Sequence, residues 1–199
     1  IGSSEIYGIQ EKIPFSVDEM PNPMSPYALS KYSSELYARL RSKQNKINLI
    51  CVRPFNTFGP YQSEKAIIPE LIIKCLLGKE IKTTLGEQTR EFNYIDNIIN
   101  AILLICKKIN YLDKPINIGS NNPIKIKYLA KKIHKLTRSK SKLKIGIKKY
   151  RPNEIWKMQA ENKFIIQKLK WKPNIKFEEG LVKTINWYKN FVKVYLNDN

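Results

Sequence analysis

The 199-residue sequence predicts an α/β fold built on a parallel sheet. Three observations predict it. A helical stretch over 25–43 leads directly into Ile47-Asn48-Leu49-Ile50-Cys51-Val52-Arg53, an apolar run with little alternation. Strands covered on both faces, as in parallel sheets, read this way. That run ends in Pro54-Phe55-Asn56-Thr57-Phe58-Gly59-Pro60, which continues neither element, so helix, strand and polar loop form the second half of a βαβ unit. Downstream, short strand-like runs keep alternating with helical ones.

Residues 1–8 read as the end of a strand and the loop after it. Residues 9–24, with Pro14, Pro21 and Pro23, form a long loop, and long loops in compact domains are often functional. Ser25 caps the first helix and Pro26 fits its first turn. Leu29, Tyr32, Leu36 and Leu40 keep helical spacing along it. A helix over 67–78 is closed by Gly78, and a strand over 81–85 precedes the polar turn 87–90. Asp96 is expected to cap a helix over 97–108. A short strand follows over 115–119. An amphipathic helix over 124–136 turns Ile126, Leu129, Ile133 and Leu136 inward. A strand over 143–150, a helix over 163–170 capped by Asn162, a break at Trp171-Lys172-Pro173 and a last helix over 177–196 complete the reading. That last helix carries Leu181, Ile185, Trp187, Tyr188 and Phe191.

Composition narrows the function classes. Hydrophobic content of 42% with 27% charged residues belongs to a globular chain. The longest apolar run, 98–106, is interrupted by Asn100, so no membrane span is expected. Cys51, Cys75 and Cys106 are odd in number, set in apolar surroundings and match no zinc spacing; buried free thiols in a reducing, cytoplasmic setting are expected. His134 is the only histidine, which argues against a histidine triad or metal site, and no metal is expected. The net charge of +19 includes thirteen basic residues between Lys114 and Arg151 with no acid among them. Only six of the basic residues in the chain are Arg, the type suited to bidentate phosphate and base contacts, so a solvated lysine-rich surface is expected and specific nucleic-acid binding is not. A basic nucleic-acid-binding protein is the competing reading of another class.

Two clusters carry candidate chemistry. Tyr27 and Lys31, four residues apart, lie on one helix face. An ammonium beside a phenol favours phenolate and makes a general base near neutral pH. Alone the pair is weak, because a Tyr at a helix edge beside a solvated Lys gives the same pattern. Ser3-Ser4-Glu5-Ile6-Tyr7-Gly8 places small hydroxyls and an acid in a loop at a strand end, where open α/β sheets bind ligands; the Asn56 loop is expected at the same edge.

These stretches, with Ser25-Pro26-Tyr27 and Lys31, Arg53 to Pro60, Thr89-Arg90-Glu91-Phe92-Asn93-Tyr94-Ile95-Asp96, Asn117-Ile118-Gly119 and Trp171-Lys172-Pro173 before Glu178-Glu179-Gly180-Leu181, span almost the whole chain. In order and spacing they resemble the nucleotide-sugar epimerase/dehydratase branch of the extended short-chain dehydrogenases/reductases. The resemblance implies the C-terminal portion of a doubly wound, Rossmann-like parallel sheet plus a small α/β substrate-binding lobe. Its division would be 1–60 in the NAD-binding domain, 61–90 in the substrate lobe, 91–120 back in the first domain and 121–199 in the substrate lobe. Family members begin with a Gly-x-x-Gly-x-x-Gly loop that holds the dinucleotide pyrophosphate. The glycines here are all isolated and the chain opens without Met, so it looks like the C-terminal part of such an enzyme, not expected to bind NAD tightly or to act alone.

The resemblance also implies roles. NAD oxidises the sugar at C4. Tyr27 takes the hydroxyl proton, Lys31 lowers its pKa and holds the nicotinamide ribose, and Ser3 holds the C4 oxygen. Pro54 and Phe55 lie at the cofactor, and Asn56, Arg90 and Arg151 hold the nucleotide-sugar diphosphate. Glu5 is the discriminating residue: a carboxylate beside C5 can remove the proton that the 4-ketone acidifies, and loss of the C6 hydroxyl completes a 4,6-dehydration. Ser4 stands where some dehydratases carry an aspartic acid, which leaves Glu5 as both base and acid. The loop 53–69 is most similar to bacterial UDP-N-acetylglucosamine 4,6-dehydratases of the legionaminic-acid type. A 4-epimerase and a UDP-glucuronate decarboxylase stay open as alternatives, and a homodimer through the Tyr27 helix is implied.

Overall fold

The computed structural model describes residues 1–109 and 114–195. The chain divides into two compact units, 1–57 with 91–123 and 157–174, and 58–90 with 124–156 and 175–199. The expected single lobe over 121–199 is therefore interrupted, because 157–174 returns to the first unit.

In the first unit, helix α1 (Pro26–Asn45) leads to strand β1 (Val52–Pro54), which pairs in parallel with β6 (Ile116–Ile118), Val52 opposite Ile116. The strands between them are short: β2 (Thr57–Phe58), β3 (Ile81–Thr83), β4 (Thr89–Glu91) and β5 (Asn93–Tyr94). Helices α3 (Ile95–Lys107) and α5 (Lys163–Leu169) cover the β1–β6 pair. Val52, Ile98, Ala101, Ile105, Ile116, Ile118, Ile165, Leu169 and Trp171 make one continuous core. Each large aliphatic side chain buried there contributes about 1.5–3 kcal/mol. The remaining strands are β7 (Pro123–Lys125), β8 (Leu143–Ile145) and β9 (Lys157–Met158).

The second unit is built on α2 (Ile67–Leu76), packed on α4 (Ile126–Leu136) and α6 (Phe177–Tyr195). In it β3 pairs in parallel with β8, Ile81 opposite Leu143. Ile68, Leu71, Ile72, Leu181 and Ile185 are buried; of the inward set expected on α4, Ile126, Leu129 and Ile133 are buried and Leu136 is only half-buried.

Several local expectations need correction. The apolar run 47–53 is a strand only from Val52; Ile47 and Leu49 are exposed. The strand expected over 143–150 ends at Ile145. Asp96 sits inside the first turn of α3, after the N-cap residue Tyr94, where its charge faces the positive helix end without capping a free N–H. Asn162 is at the N-cap of α5, but its amide donates to the Gly119 carbonyl at 2.7 Å. Leu29, Leu36 and Leu40 face outward on α1, whose buried residues are Ala28 and Glu35. Of the thiols, Cys75 is buried, Cys51 half-buried and Cys106 exposed. The predicted helix end at Leu196 lies outside the described residues.

Candidate functional site

The site is built on a 3-10 turn, Ser4–Tyr7. Ser3 caps it: its Oγ accepts from the Glu5 amide at 3.2 Å. Gly8 closes it at φ 60°, donating to the Glu5 carbonyl, and a Cβ there would lie 1.9 Å from the Asn22 carbonyl oxygen, so only glycine fits. Ser4, Ile6 and Tyr7 point into the protein and Glu5 points out. The Glu5 carboxylate makes no hydrogen bond or ion pair among the described residues. Ser4 is 2% exposed and its hydroxyl donates to the Met158 sulfur at 3.7 Å. Ser4 therefore faces the interior, on the opposite side of the turn from Glu5.

Helix α1 packs against this turn. Ser25 caps it, its Oγ accepting from the Ala28 amide at 3.0 Å, and Pro26 opens the first turn. Tyr27 is 51% exposed, and Lys31 reaches back to donate to the Ile1 carbonyl at 3.1 Å, two residues before Ser3. One helix edge and one turn thus bring Ser3, Glu5 and Lys31 into one neighbourhood. Tyr27 stands one helical turn from Lys31, with no hydrogen bond joining the two side chains among the described residues.

Beneath the turn runs a buried polar network that the sequence reading missed. Arg53 Nη2 and Nε donate to the Glu35 carboxylate at 2.7 and 3.1 Å, and Arg53 Nη1 donates to the Tyr7 hydroxyl at 2.7 Å. That hydroxyl donates to Asn117 Oδ1 at 2.8 Å, and Asn117 Nδ2 donates to the Phe15 carbonyl. Arg39 also meets Glu35, at 2.5 Å. Burial raises the Tyr7 pKa despite the nearby Arg53, which keeps the hydroxyl protonated and able to donate. Burial opposes the Arg53 charge, but the bonds from Glu35 and Tyr7 outweigh it and its pKa rises. The network joins α1, β1, β6, the 9–24 loop and the turn that presents Glu5. The signal for it was Arg53 itself: a charge at the end of an apolar strand has to be paired.

After β1, Pro54 is half-buried, but Phe55 is fully buried, its amide donating to the Ile118 carbonyl and its carbonyl accepting from Asn93. The Phe55 ring therefore offers no surface to a cofactor. Asn56 is partly exposed, its amide donating to the Met158 sulfur at 3.5 Å. Arg90 and Arg151 belong to the second unit. Arg90 pairs with Glu154 at 2.8 Å, whereas Arg151 is exposed. Gly119 packs so closely on Glu91 that a Cβ would lie 2.0 Å from its Oε1, which accounts for the glycine of the Asn117-Ile118-Gly119 stretch.

Residues 1–184 match the family model described as GDP-mannose 4,6 dehydratase. The human dTDP-D-glucose 4,6-dehydratase is 31% identical over 198 residues, covering 95% of this chain and 55% of that protein. The structure of UDP-N-acetylglucosamine 4-epimerase from Methanobrevibacter ruminantium, in complex with UDP-N-acetylmuramic acid, is 31% identical with a TM-score of 0.84 over 96% of this chain and 62% of its own. UDP-glucuronic acid 4-epimerase from Bacillus cereus, in complex with UDP-glucuronic acid and NAD, is 26% identical with a TM-score of 0.86, over 96% and 60%. The chain spans little more than half the length of the curated relatives it matches. No described helix is long and apolar enough to cross a membrane. The turn, the Tyr27 helix, the parallel strand pair and these matches together show that the chain belongs to the NAD-dependent nucleotide-sugar epimerase/dehydratase family of the extended short-chain dehydrogenases/reductases.

Proposed function

We propose that the protein acts as a nucleotide-sugar 4,6-dehydratase, on a UDP-hexose such as UDP-N-acetylglucosamine. The observation that carries this reading is the outward, unpartnered Glu5 carboxylate on a turn capped by Ser3 and packed against the helix of Tyr27 and Lys31.

The residues fit one end of NAD. The Lys31 ammonium and the exposed Tyr27 phenol suit its nicotinamide ribose, and Pro54 ends β1, the strand that follows their helix. The isolated glycines supply no pyrophosphate cradle. When bound, NAD supplies the hydride acceptor for C4 and the donor that later reduces C6.

The chain's own groups do the rest. Tyr27 accepts the C4 hydroxyl proton, with the Lys31 ammonium one helical turn away. The Ser3 oxygen already accepts from the Glu5 amide, which leaves its O–H free to donate to the C4 oxygen, a bond that suits the ketone. Glu5 removes the C5 proton, the C5–C6 double bond forms as the C6–O bond breaks, and Glu5 returns that proton to the departing hydroxyl as water. Because Ser4 is turned inward onto Met158, Glu5 serves as both base and acid. Asn56 exchanges its long bond to sulfur for a diphosphate oxygen; Arg90 and Arg151 take their diphosphate roles from the resemblance alone.

The epimerase reading is favoured by the two solved relatives described above, both of which are 4-epimerases. Incubation of the full-length protein carrying this chain with UDP-N-acetylglucosamine and NAD separates the two. A product lighter by one water, a 4-keto-6-deoxy sugar, is expected; an isomer of unchanged mass means epimerase, and carbon dioxide from UDP-glucuronate means decarboxylase.

A further inference from the structure

A cavity lies in the first unit, at the C-terminal end of α1. It has a volume of about 340 Å³ and is bordered by Arg39, Lys43, Lys114, Ser42, Leu49 and Cys51. Lys114 precedes β6 and Cys51 precedes β1, so the cavity opens at the strands' amino ends, whereas the Asn56 loop follows the carboxyl end of β1.

Three cations and no carboxylate line it among the described residues. Like charges in a concave wall focus potential on its interior and draw in a counter-charge. The cations differ in how firmly they are placed. Arg39 is clamped by the buried Glu35, which Arg53 also holds, so its guanidinium position is set by the interior of the unit. Lys114 has only a long contact with the exposed Asp18, at 3.5 Å. Lys43 has no partner among the described residues. One fixed fork and two exposed, loosely held ammonium groups are what a compact, multiply charged oxyanion needs: a planar donor to orient it and point charges to close around it. The Ser42 hydroxyl, which donates to the Ile47 carbonyl, leaves its oxygen on the same wall.

We propose that this cavity is a binding site for a phosphate dianion, free or as the head of a phosphate ester. The Cys51 thiol on its wall reports occupancy. Cys106, which is exposed, and Cys75, which is buried, are references in the same chain.

Alkylation of the full chain by iodoacetamide, resolved by cysteine with mass spectrometry, tests this. Inorganic phosphate is expected to slow Cys51 modification saturably, leaving the Cys106 rate unchanged, when chloride controls hold ionic strength constant. In the exposed-residue variant Lys43→Gln/Lys114→Gln, the concentration giving half-protection is expected to rise at least about tenfold. A parallel titration with glycerol phosphate assigns the source: protection by both anions indicates a site open to esters, protection by inorganic phosphate alone a free-anion site. Equal slowing by chloride, protection by neither anion, or undiminished protection in the double variant overturns the proposal.

Discussion

Glu87 and Glu91 are four residues apart and have opposite surroundings. Glu87, in the second unit, is exposed and held by Lys125 at 2.7 Å and by Lys127, whose bonds lower its pKa to about 2. Glu91, in the first unit, is 0% exposed, and burial raises its pKa although the Ala160 amide donates to it at 2.8 Å. The same contrast runs through the two units. In the first, Glu35, Arg53, Tyr7 and Asn117 are buried and bonded to one another, and they fix the turn that presents Glu5. In the second, ion pairs such as Lys144–Glu80 and Lys183–Glu179 lie at the surface, where each is worth little. Charge in the first unit specifies geometry; in the second, apart from the largely buried Arg90–Glu154 pair, such ion pairs face solvent.

Removing one partner of the buried network breaks this contrast most directly. Glu35→Ala leaves Arg53 buried without its carboxylate and is expected to cost about 3–5 kcal/mol in urea unfolding, with loss of activity as the Glu5 turn loosens. Tyr7→Phe cuts the link from Arg53 to Asn117 and is expected to cost about 1–3 kcal/mol by the same measurement. Ser25→Ala removes the cap of α1 and is expected to cost about 1 kcal/mol.

The two glutamates give pH signatures of opposite sign. The Glu91 pKa is raised from 4.5, so its contribution is fully present below 4.5 and is lost as pH rises through the folded value; Glu91→Gln flattens that loss. The Glu87 pKa is lowered from 4.5, so its contribution is present above 4.5 and is lost as pH falls towards 2; Glu87→Gln removes that acid slope, with the small loss of stability read at neutral pH and vanishing towards pH 2. Unfolding curves for both variants from pH 3 to 8 read the two slopes.

Much of this was legible in the sequence where local chemistry decides structure. Ser25-Pro26 announced the start of α1, and Asp96 before a largely apolar stretch announced α3 over 97–108, close to its observed Ile95–Lys107. The lack of alternation over 47–53 pointed to a parallel sheet, and β1 does pair in parallel, with β6. Tertiary partners decided the rest. Leu29, Leu36 and Leu40 have helical spacing, yet that stripe faces outward, and the buried side of α1 is marked by Glu35, a residue that periodicity assigns to solvent. Asn162 looked like a cap, but its amide is taken by the Gly119 carbonyl, 43 residues away in sequence. Ser4 and Glu5 are neighbours in a polar loop; only the turn geometry shows that one faces Met158 and the other faces out. The return of 157–174 to the first unit had no local signal.

The central claim is that Glu5 is the base at C5. The direct measurement is turnover of UDP-N-acetylglucosamine by the full-length protein in deuterium oxide, wild type against Glu5→Gln, following deuterium at C5 and formation of reduced cofactor by absorbance. The account predicts that wild type incorporates solvent deuterium at C5. It predicts that Glu5→Gln loses this by a factor on the order of 10²–10⁴ while cofactor reduction, the step proposed for Tyr27 and Lys31, persists. Undiminished C5 exchange in Glu5→Gln would contradict it.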